Sequence, residues 1–194
     1  SRKIATKIDW DCDVKTLFRD RNLGLKKSVA DSITWFFKHE KEGIILEDDC
    51  LPDITFFKYC EEMLYKFEKN KTIWMICGFN PRHQLKKTNK VFLSQNPSVW
   101  GWATWRDRWS KYNINMPTFN LNDKLELHAD VPKYVYKHYK KKFNDVYKGN
   151  IITWDYQFVF EILMNKGLVV KPYTNLIRNI GVDGTHGADK SHKN

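Results

Sequence analysis

The stretch GIILEDDCLPD, residues 43–53, sets a short apolar run directly before three consecutive carboxylates. Residues 43–46 are apolar and rich in β-branched side chains, which is typical of a strand buried on both faces of a mostly parallel sheet. Asp53 then stands where the N-cap of a following helix, ITFFKYCEEMLYKF, is expected. The acidic triplet is therefore predicted to lie at the carboxyl end of a strand.

The segments around this stretch alternate between strand-like and helix-like patterns. Residues 13–18 have strand character, residues 25–40 carry apolar side chains at helical spacing, and residues 72–79 form a strand-like run. This order is typical of an α/β domain with right-handed crossovers, in which ligands bind beyond the carboxyl ends of the strands. The sequence predicts a mostly parallel mixed sheet flanked by helices, with the acidic triplet at its ligand-binding edge.

The second half of the chain is less regular but contains recognisable elements. Residues 132–147 form a basic helical pattern, residues 152–167 a second helix with Gly167 at its C′ position, and residues 168–172 a strand. A polar, glycine-containing tail follows. Because there is no internal repeat or low-complexity linker, we expect one domain over residues 1–194.

Composition supports a globular domain with its own core. The 194 residues are 42% hydrophobic and include eight tryptophans, which is enough to bury a substantial interior. The formal net charge is +10, but the basic residues are spread along the chain, so most are read as solvated surface. The alternative is an anionic partner, either nucleic acid or a nucleotide diphosphate.

The four cysteines show neither a CxxC pair nor zinc-ligand spacing, which predicts reduced thiols and a cytoplasmic location. No apolar run approaches the ~20 residues that cross a bilayer. The first residues have no signal-peptide core.

The consecutive carboxylates Glu47, Asp48 and Asp49 suit a hard divalent cation. Mg²⁺ and Mn²⁺ prefer carboxylate oxygens, take one or two from protein, and complete their shell with water and phosphates. In an extended segment, Glu47 and Asp49 would share a face and Asp48 would point elsewhere. The alternative is a capping or loop cluster left in solvent.

Beyond this motif, the chain resembles GT-A nucleotide-sugar glycosyltransferases, especially the N-acetylglucosaminyltransferase I type and bacterial hemolysin-related sugar transferases. The resemblance rests on five ordered blocks over nearly the whole chain: RNLGLKKSVADSITWFF, EGIILEDDCLP, WGWATW, TWDYQ and NLIRNIGVDGTH. It implies a GT-A-like, Rossmann-like fold, with a donor- and metal-binding half at residues 1–80 and an acceptor-side half at residues 81–194. The implied activity moves a sugar from a nucleoside-diphosphate sugar, a UDP-sugar above all, to a glycan or lipid-linked acceptor.

The same resemblance implies roles for the acidic triplet and for the tail. Asp49 would ligate Mn²⁺ or Mg²⁺, while Glu47 and Asp48 would face the ribose or nucleotide side. His186, within GVDGTHG, could reach the metal or diphosphate. The alternative for His186 is an exposed histidine between flexible glycines.

Asp155, in TWDYQF, matches the position of the catalytic base in this resemblance. A base near the acceptor hydroxyl implies transfer with inversion. The alternative is that Asp155 stabilises the start of the helix in which it lies, since negative charge is favoured in a first turn.

The tryptophan-rich block resembles the wall beside the donor sugar and acceptor. Gly101 would let backbone come close, and Trp100 or Trp102 would offer an apolar face to a sugar ring. The alternative for the tryptophans is core packing.

The first block resembles the N-x-G turn that opens the helix beside the nucleotide base. Asn22 and Gly24 would form the turn, and Lys26 or Lys27 would meet a phosphate at the helix N-terminus. A simple turn and cap is the alternative.

Members of this group begin with an additional strand and helix that cradle the nucleotide, and this chain starts after them. We therefore expect weak donor binding and an unpaired sheet edge that favours self-association. No nucleic-acid partner is expected, and membrane contact is peripheral at most. Two alternatives stay open: a basic, aromatic-rich nucleic-acid-binding module, and an inactive transferase-like scaffold.

Overall fold

The computed structural model describes residues 6–81, 89–120 and 133–181. The helices in these ranges are α1 (Leu25–His39), α2 (Thr55–Phe67), α3 (Arg106–Trp109), α4 (Lys133–Tyr147) and α5 (Asp155–Met164). The strands are β1 (Glu42–Ile45), β2 (Cys50–Pro52), β3 (Ile73–Cys77), β4 (Val91–Ser94), β5 (Trp102–Trp105), β6 (Leu168–Pro172) and β7 (Ile177–Asn179).

Five strands form one mixed sheet in the order β1-β5-β3-β6-β4. Neighbours β3 and β6 are parallel, whereas the pairs β1–β5, β5–β3 and β6–β4 are antiparallel. The mixed α/β class is confirmed, but the prediction of a mostly parallel sheet is wrong. The strands predicted in this sheet, β1, β3 and β6, do run in one direction. The strands that were not predicted, β4 and β5, run in the opposite direction. Because β5 lies between β1 and β3 and β4 lies beside β6, three of the four pairings are antiparallel.

Strand β1 lies at an edge of the described sheet, and its residues are half-buried or exposed. The prediction that this run is buried on both faces is therefore wrong. That description fits β3 and β5, whose residues are all buried. A four-residue apolar run has too few positions to distinguish an edge strand from a central one.

The helical predictions agree with the structure at α1, α2, α4 and α5. α1 and α2 pack into different core clusters. The cluster of α1 contains Trp74, Met75 and Cys77 of β3, and the cluster of α2 contains Ile73 and Ile76. At the start of α2, the Asp53 carboxylate accepts hydrogen bonds from the Thr55 backbone N–H (3.0 Å) and hydroxyl (2.7 Å). Asp53 thus stabilises the turn that leads into α2, although the N-cap position of the helix is Ile54 and not Asp53 as predicted.

Two segments differ from their predicted structure. Residues 13–18 form no strand and are mostly exposed, because an isolated run of strand-like residues gains little without a pairing partner. The C-terminal segment predicted as a polar tail contains β7, which pairs antiparallel with β2. This pairing joins residues that are far apart in the sequence beside the acidic triplet.

Helix α5 ends at a different residue from the one predicted. Lys166, not Gly167, has the left-handed φ of +52° and occupies C′. Its N–H donates to the Leu163 carbonyl, and the Gly167 N–H donates to the Ile162 carbonyl (2.7 Å), which is a Schellman arrangement. Gly167 serves close packing instead, because an added Cβ would lie 2.6 Å from the Trp74 ring.

Aromatic side chains form much of the interior. Trp102 is fully buried, with ring centroids 6.0 Å from Trp154, 6.1 Å from Trp109 and 5.6 Å from Phe158. Five of the eight tryptophans are buried in this way. Most of the tryptophan content therefore serves packing.

Two further features of the described residues are the state of the cysteines and the length of the helices. All four cysteines are free thiols, and Cys50, Cys60 and Cys77 are buried. No helix in the described ranges combines the length and apolarity needed to cross a bilayer.

Candidate functional site

The acidic triplet follows β1 in a tight turn. The Cys50 N–H donates to the Glu47 carbonyl (3.0 Å), which closes the turn over Asp48 and Asp49. The segment is thus not extended, and the strand alternation invoked from the sequence does not describe it. Asp48 is exposed, whereas Glu47 and Asp49 are half-buried.

Glu47 and Asp155 lie in each other's electrostatic field although 108 residues separate them in the chain. Burial raises the pKa of the Glu47 carboxyl to about 7, and the charges of Asp49, Asp155 and Asp48 raise it further, in that order of size. A hydrogen bond with the Trp154 side chain opposes this shift. The fold therefore joins the acidic turn after β1 to the N-terminus of α5.

Asp49 is held on both its backbone and its carboxylate. Its carbonyl accepts the Ile180 N–H (2.8 Å), its Oδ2 accepts the Asn179 Nδ2–H (3.1 Å), and its Oδ1 receives the weak Cys50 thiol contact (3.6 Å). β7 thus fixes the Asp49 side chain, and no cationic side chain forms an ion pair with the triplet within the described residues.

The carboxylates at this turn suit a cation that is held largely by the phosphates of a bound substrate. No group of three His, Cys, Asp or Glu side chains converges on a common point in the described ranges, so these residues form no complete protein cage. Mg²⁺ and Mn²⁺ usually take one or two protein carboxylates beside substrate phosphates. Gly181 has no side chain to crowd Asp49, since an added Cβ there would lie 2.5 Å from Asp49 Oδ2. Asp49 with Glu47 fits this mode of binding.

Asp155 lies in the first turn of α5, as the sequence predicted. Its Oδ1 accepts a hydrogen bond from the Thr153 hydroxyl, and Gln157 binds the Thr153 carbonyl (2.8 Å). No side-chain cap bond is formed at the Trp154 N-cap position. Asp155 is therefore oriented by a hydroxyl while it remains free to face a cavity.

That cavity measures about 300 Å³ and has both aromatic and polar walls. The side chains that matter most for a ligand are Trp100, Asn96, His138, Tyr139, Tyr156 and Asp155. The Tyr139 hydroxyl donates to Asn96 Oδ1 (2.6 Å), and burial raises the pKa of Tyr139 above its ordinary value, so the phenol stays neutral. Such a wall can stack a sugar ring and bind its hydroxyls.

The structure separates the roles predicted for the tryptophan-rich block. Trp102 is fully buried and has no face left for a sugar. Trp100 lines the cavity and packs edge-on against Phe79, with ring centroids 4.6 Å apart. Gly101 has a φ of +60°, and a Cβ there would clash with Ile177. The glycine therefore allows β7 to pack on β5, a role the sequence did not indicate.

The first block forms the turn expected of it. The Gly24 N–H donates to Asn22 Oδ1 (2.8 Å), and Gly24 has a φ of +74° at the start of α1. Lys27 is exposed and paired with Asp31 at 2.9 Å. No hydrogen bond or ion pair links Asn22, Gly24 or Lys27 to the acidic turn within the described chain. His186 lies outside the described residues.

Sequence reasoning missed several residues around the site. Asn179 and Gly181 belong to the NLIRNIGVDGTH block, but only its histidine was singled out. His138 and Tyr139 lie on a helix that was described by its basic residues. Asn96 lies in an apparently irregular segment. Each becomes a candidate only once strand pairing and helix packing place it beside Asp49 or Asp155.

Comparison with known proteins adds no family assignment. A scan against protein-family models gives no match, and a search of curated proteins gives none either.

Proposed function

We propose that this chain is a metal-dependent glycosyltransferase that transfers a sugar from a nucleoside-diphosphate sugar to a glycan or lipid-linked acceptor. The observation that carries the proposal is the closeness of the acidic turn to the N-terminus of α5: Glu47 is hydrogen-bonded with the Trp154 side chain, and its pKa responds to the charge of Asp155. The proposed transfer needs a cation beside the diphosphate of the donor and a base beside the acceptor hydroxyl, so the two sites must lie close together. The aromatic cavity that contains Asp155 supports the same proposal.

On the donor side, Asp49 would hold a divalent cation, with Glu47 beside it. The cation, when bound, supplies positive charge against the leaving diphosphate. Asp48 is exposed next to both residues and can accept hydrogen bonds from a ribose. The carboxylates thus bind and orient the donor rather than react with it.

On the acceptor side, Asp155 would act as the base. As the acceptor oxygen bonds to the anomeric carbon, its proton moves to the Asp155 carboxylate and the bond to the diphosphate oxygen breaks, so the nucleoside diphosphate leaves. The Thr153 hydroxyl orients this carboxylate. Attack from the face opposite the leaving group gives inversion.

The cavity beside Asp155 would bind one sugar of the acceptor. Its volume of about 300 Å³ is at the lower limit of small-ligand sites. Trp100 offers an aromatic face, and Asn96, His138 and Tyr139 offer hydrogen-bonding atoms. These are the groups that distinguish a sugar from an apolar ligand.

A thermal-shift screen tests the proposal. The purified chain is heated with UDP-, GDP- and dTDP-sugars, each with Mn²⁺ and again with a chelator. A ligand present at 100 times its Kd stabilises the folded state by about 2.7 kcal/mol, so a true donor raises Tm only when Mn²⁺ is present. A chain that gains no stability from any donor, but binds single-stranded nucleic acid with steep salt dependence, would be the nucleic-acid module instead.

Product formation separates an enzyme from an inactive scaffold. A donor that stabilises the chain is incubated with Mn²⁺ and a panel of glycan acceptors, and release of the nucleoside diphosphate is measured. Metal-dependent binding with neither transfer nor donor hydrolysis would contradict the enzymatic proposal.

A further inference from the structure

We propose that Asn179 is a positioning residue for the Asp49 carboxylate, so that β7 forms part of the cation site. This inference rests on the proposed function, because it needs Asp49 to bind a cation. It goes further by assigning a role to a residue 130 positions away in sequence. No motif at Asn179 indicates that role.

Strand pairing places Asn179 at the acidic turn. β2 and β7 pair antiparallel with Cys50 opposite Asn179, one residue after Asp49. Beyond this pair, the Ile180 N–H donates to the Asp49 carbonyl (2.8 Å). The backbone around Asp49 is therefore fixed by the same strand that carries the amide.

The Asn179 amide is itself oriented. Its Oδ1 accepts the Gly181 N–H (2.9 Å), which directs Nδ2 toward Asp49 Oδ2 at 3.1 Å. The carbonyl end is used by the backbone and the amino end by the carboxylate. An amide locked at both ends holds the carboxylate in one orientation before any cation arrives.

A neutral donor is the appropriate partner for a carboxylate that must bind a cation. The amide satisfies one lone pair of Oδ2 but leaves the negative charge and the remaining lone pairs available. A lysine or arginine at the same place would compete with the cation for that charge. Asp48, the neighbouring residue, adds an exposed carboxylate beside Asp49.

Gly181 keeps space free next to the same oxygen. An added Cβ would lie 2.5 Å from Asp49 Oδ2 and 3.0 Å from Asp49 Cβ. Because these are side-chain atoms, an alanine here would displace the Asp49 carboxylate rather than the backbone. Gly181→Ala and Asn179→Ala therefore disturb one carboxylate by two independent routes.

The test measures Mn²⁺ affinity by electron paramagnetic resonance of the free ion, first alone and then with uridine diphosphate. We expect Asn179→Ala and Gly181→Ala each to weaken Mn²⁺ binding by about 10–100-fold, the usual effect of removing support from a ligand. The matched control is Asn175→Ala. Asn175 also braces β7, with Nδ2 on the Ile177 carbonyl (2.7 Å) and Oδ1 on the Asn80 N–H (3.0 Å), but it has no bond to Asp49.

The outcomes distinguish this inference from the proposed function. Thermal unfolding without metal shows whether each variant is folded at the assay temperature. If Asn179→Ala does not fold, Gly181→Ala remains as the second variant, because it removes no hydrogen-bonding group. If the wild-type chain binds Mn²⁺ and all three variants bind it with the wild-type affinity, the positioning role alone is overturned. A wild-type chain that binds no Mn²⁺, with or without uridine diphosphate, would overturn the metal-dependent function and the inference with it.

Discussion

Single carboxylates decide the chemistry proposed for this molecule, and their surroundings differ. Asp155 is oriented by Thr153 and faces a cavity, whereas Asp49 is held by an amide and a backbone N–H. The charges of both act on Glu47, whose pKa is raised mainly by burial. Each residue can therefore be tested for a different property.

Replacing Asp155 by asparagine removes the proposed base while keeping the shape of the side chain. We expect turnover to fall by about 10²–10⁴-fold, the usual contribution of a general base, with donor binding retained. Initial rates and donor-induced Tm shifts are the measurements. Glu161→Gln, which removes a charge from the same helix away from the cavity, is the control and should leave turnover unchanged. Normal turnover with reduced stability in the Asp155 variant would contradict the base. It would mean that Asp155 only stabilises the start of its helix with a negative charge.

Replacing Asp49 by asparagine removes the charge that would bind the cation. Metal-dependent binding of uridine diphosphate, followed by calorimetry, should weaken by at least the ~10–100-fold that is typical of a residue supporting a ligand. Asp48→Asn provides the comparison, because Asp48 is exposed and assigned to the nucleotide side. Unchanged calorimetric binding in the Asp49 variant would remove Asp49 from the metal site.

At the scale of elements, the ends of helices show where local rules and packing compete. The sequence predicted a glycine C′ for α5, yet Lys166 adopts the left-handed conformation. Gly167 is needed one residue later, where its missing side chain lets the chain approach Trp74. Packing of β6 on the core therefore set the position of the glycine, and a local capping rule could not reveal it.

These two residues predict opposite stability effects. Lys166→Gly should increase the free energy of unfolding by up to ~1 kcal/mol, because it relieves left-handed strain in a residue with a Cβ. Gly167→Ala should decrease it by about 1–3 kcal/mol, because the new Cβ meets the Trp74 ring and the Ile162 carbonyl. Urea denaturation measures both. Equal stability of Gly167→Ala and wild type would show that Trp74 moves without cost.

At the scale of the whole molecule, one buried cation is conspicuous. Lys171, in β6, is only 4% exposed, and none of the ion pairs within the described residues involves its amine. Burial lowers its pKa, and the nearby Cys77 thiol opposes that shift. A charge in this position destabilises the fold wherever the amine is protonated.

Replacing Lys171 by methionine should stabilise the protein at about pH 7, on the order of 1 kcal/mol or more. A folded-state pKa below the ordinary value of 10.5 means that the unfolded chain binds more protons between the two pKa values. Wild-type stability should therefore rise with pH in that window. Urea denaturation across the window should show this rise in wild type and its loss in Lys171→Met. Exposed Lys148→Met is the control, and a stability profile of Lys171→Met that matches wild type would contradict the prediction.

Much of the local structure was predictable from the sequence. Apolar spacing identified α1, the capping candidate Asp53 indicated the start of α2, and a strand-like run identified β3, because each depends on residues close together in the chain. The order of strand-like and helix-like segments also indicated an α/β domain. The acidic turn was located correctly for the same reason, since its three carboxylates directly follow an apolar run.

The tertiary structure alone decided the rest. It placed β5 between β1 and β3, buried Trp102 while leaving Trp100 beside a cavity, and brought Asn179 to Asp49 across 130 residues. Strand order and burial follow from the combined free energy of all pairings and contacts, so short windows of sequence carry little information about them. The sequence thus determined which residues could do the chemistry, and the packing determined which of them meet.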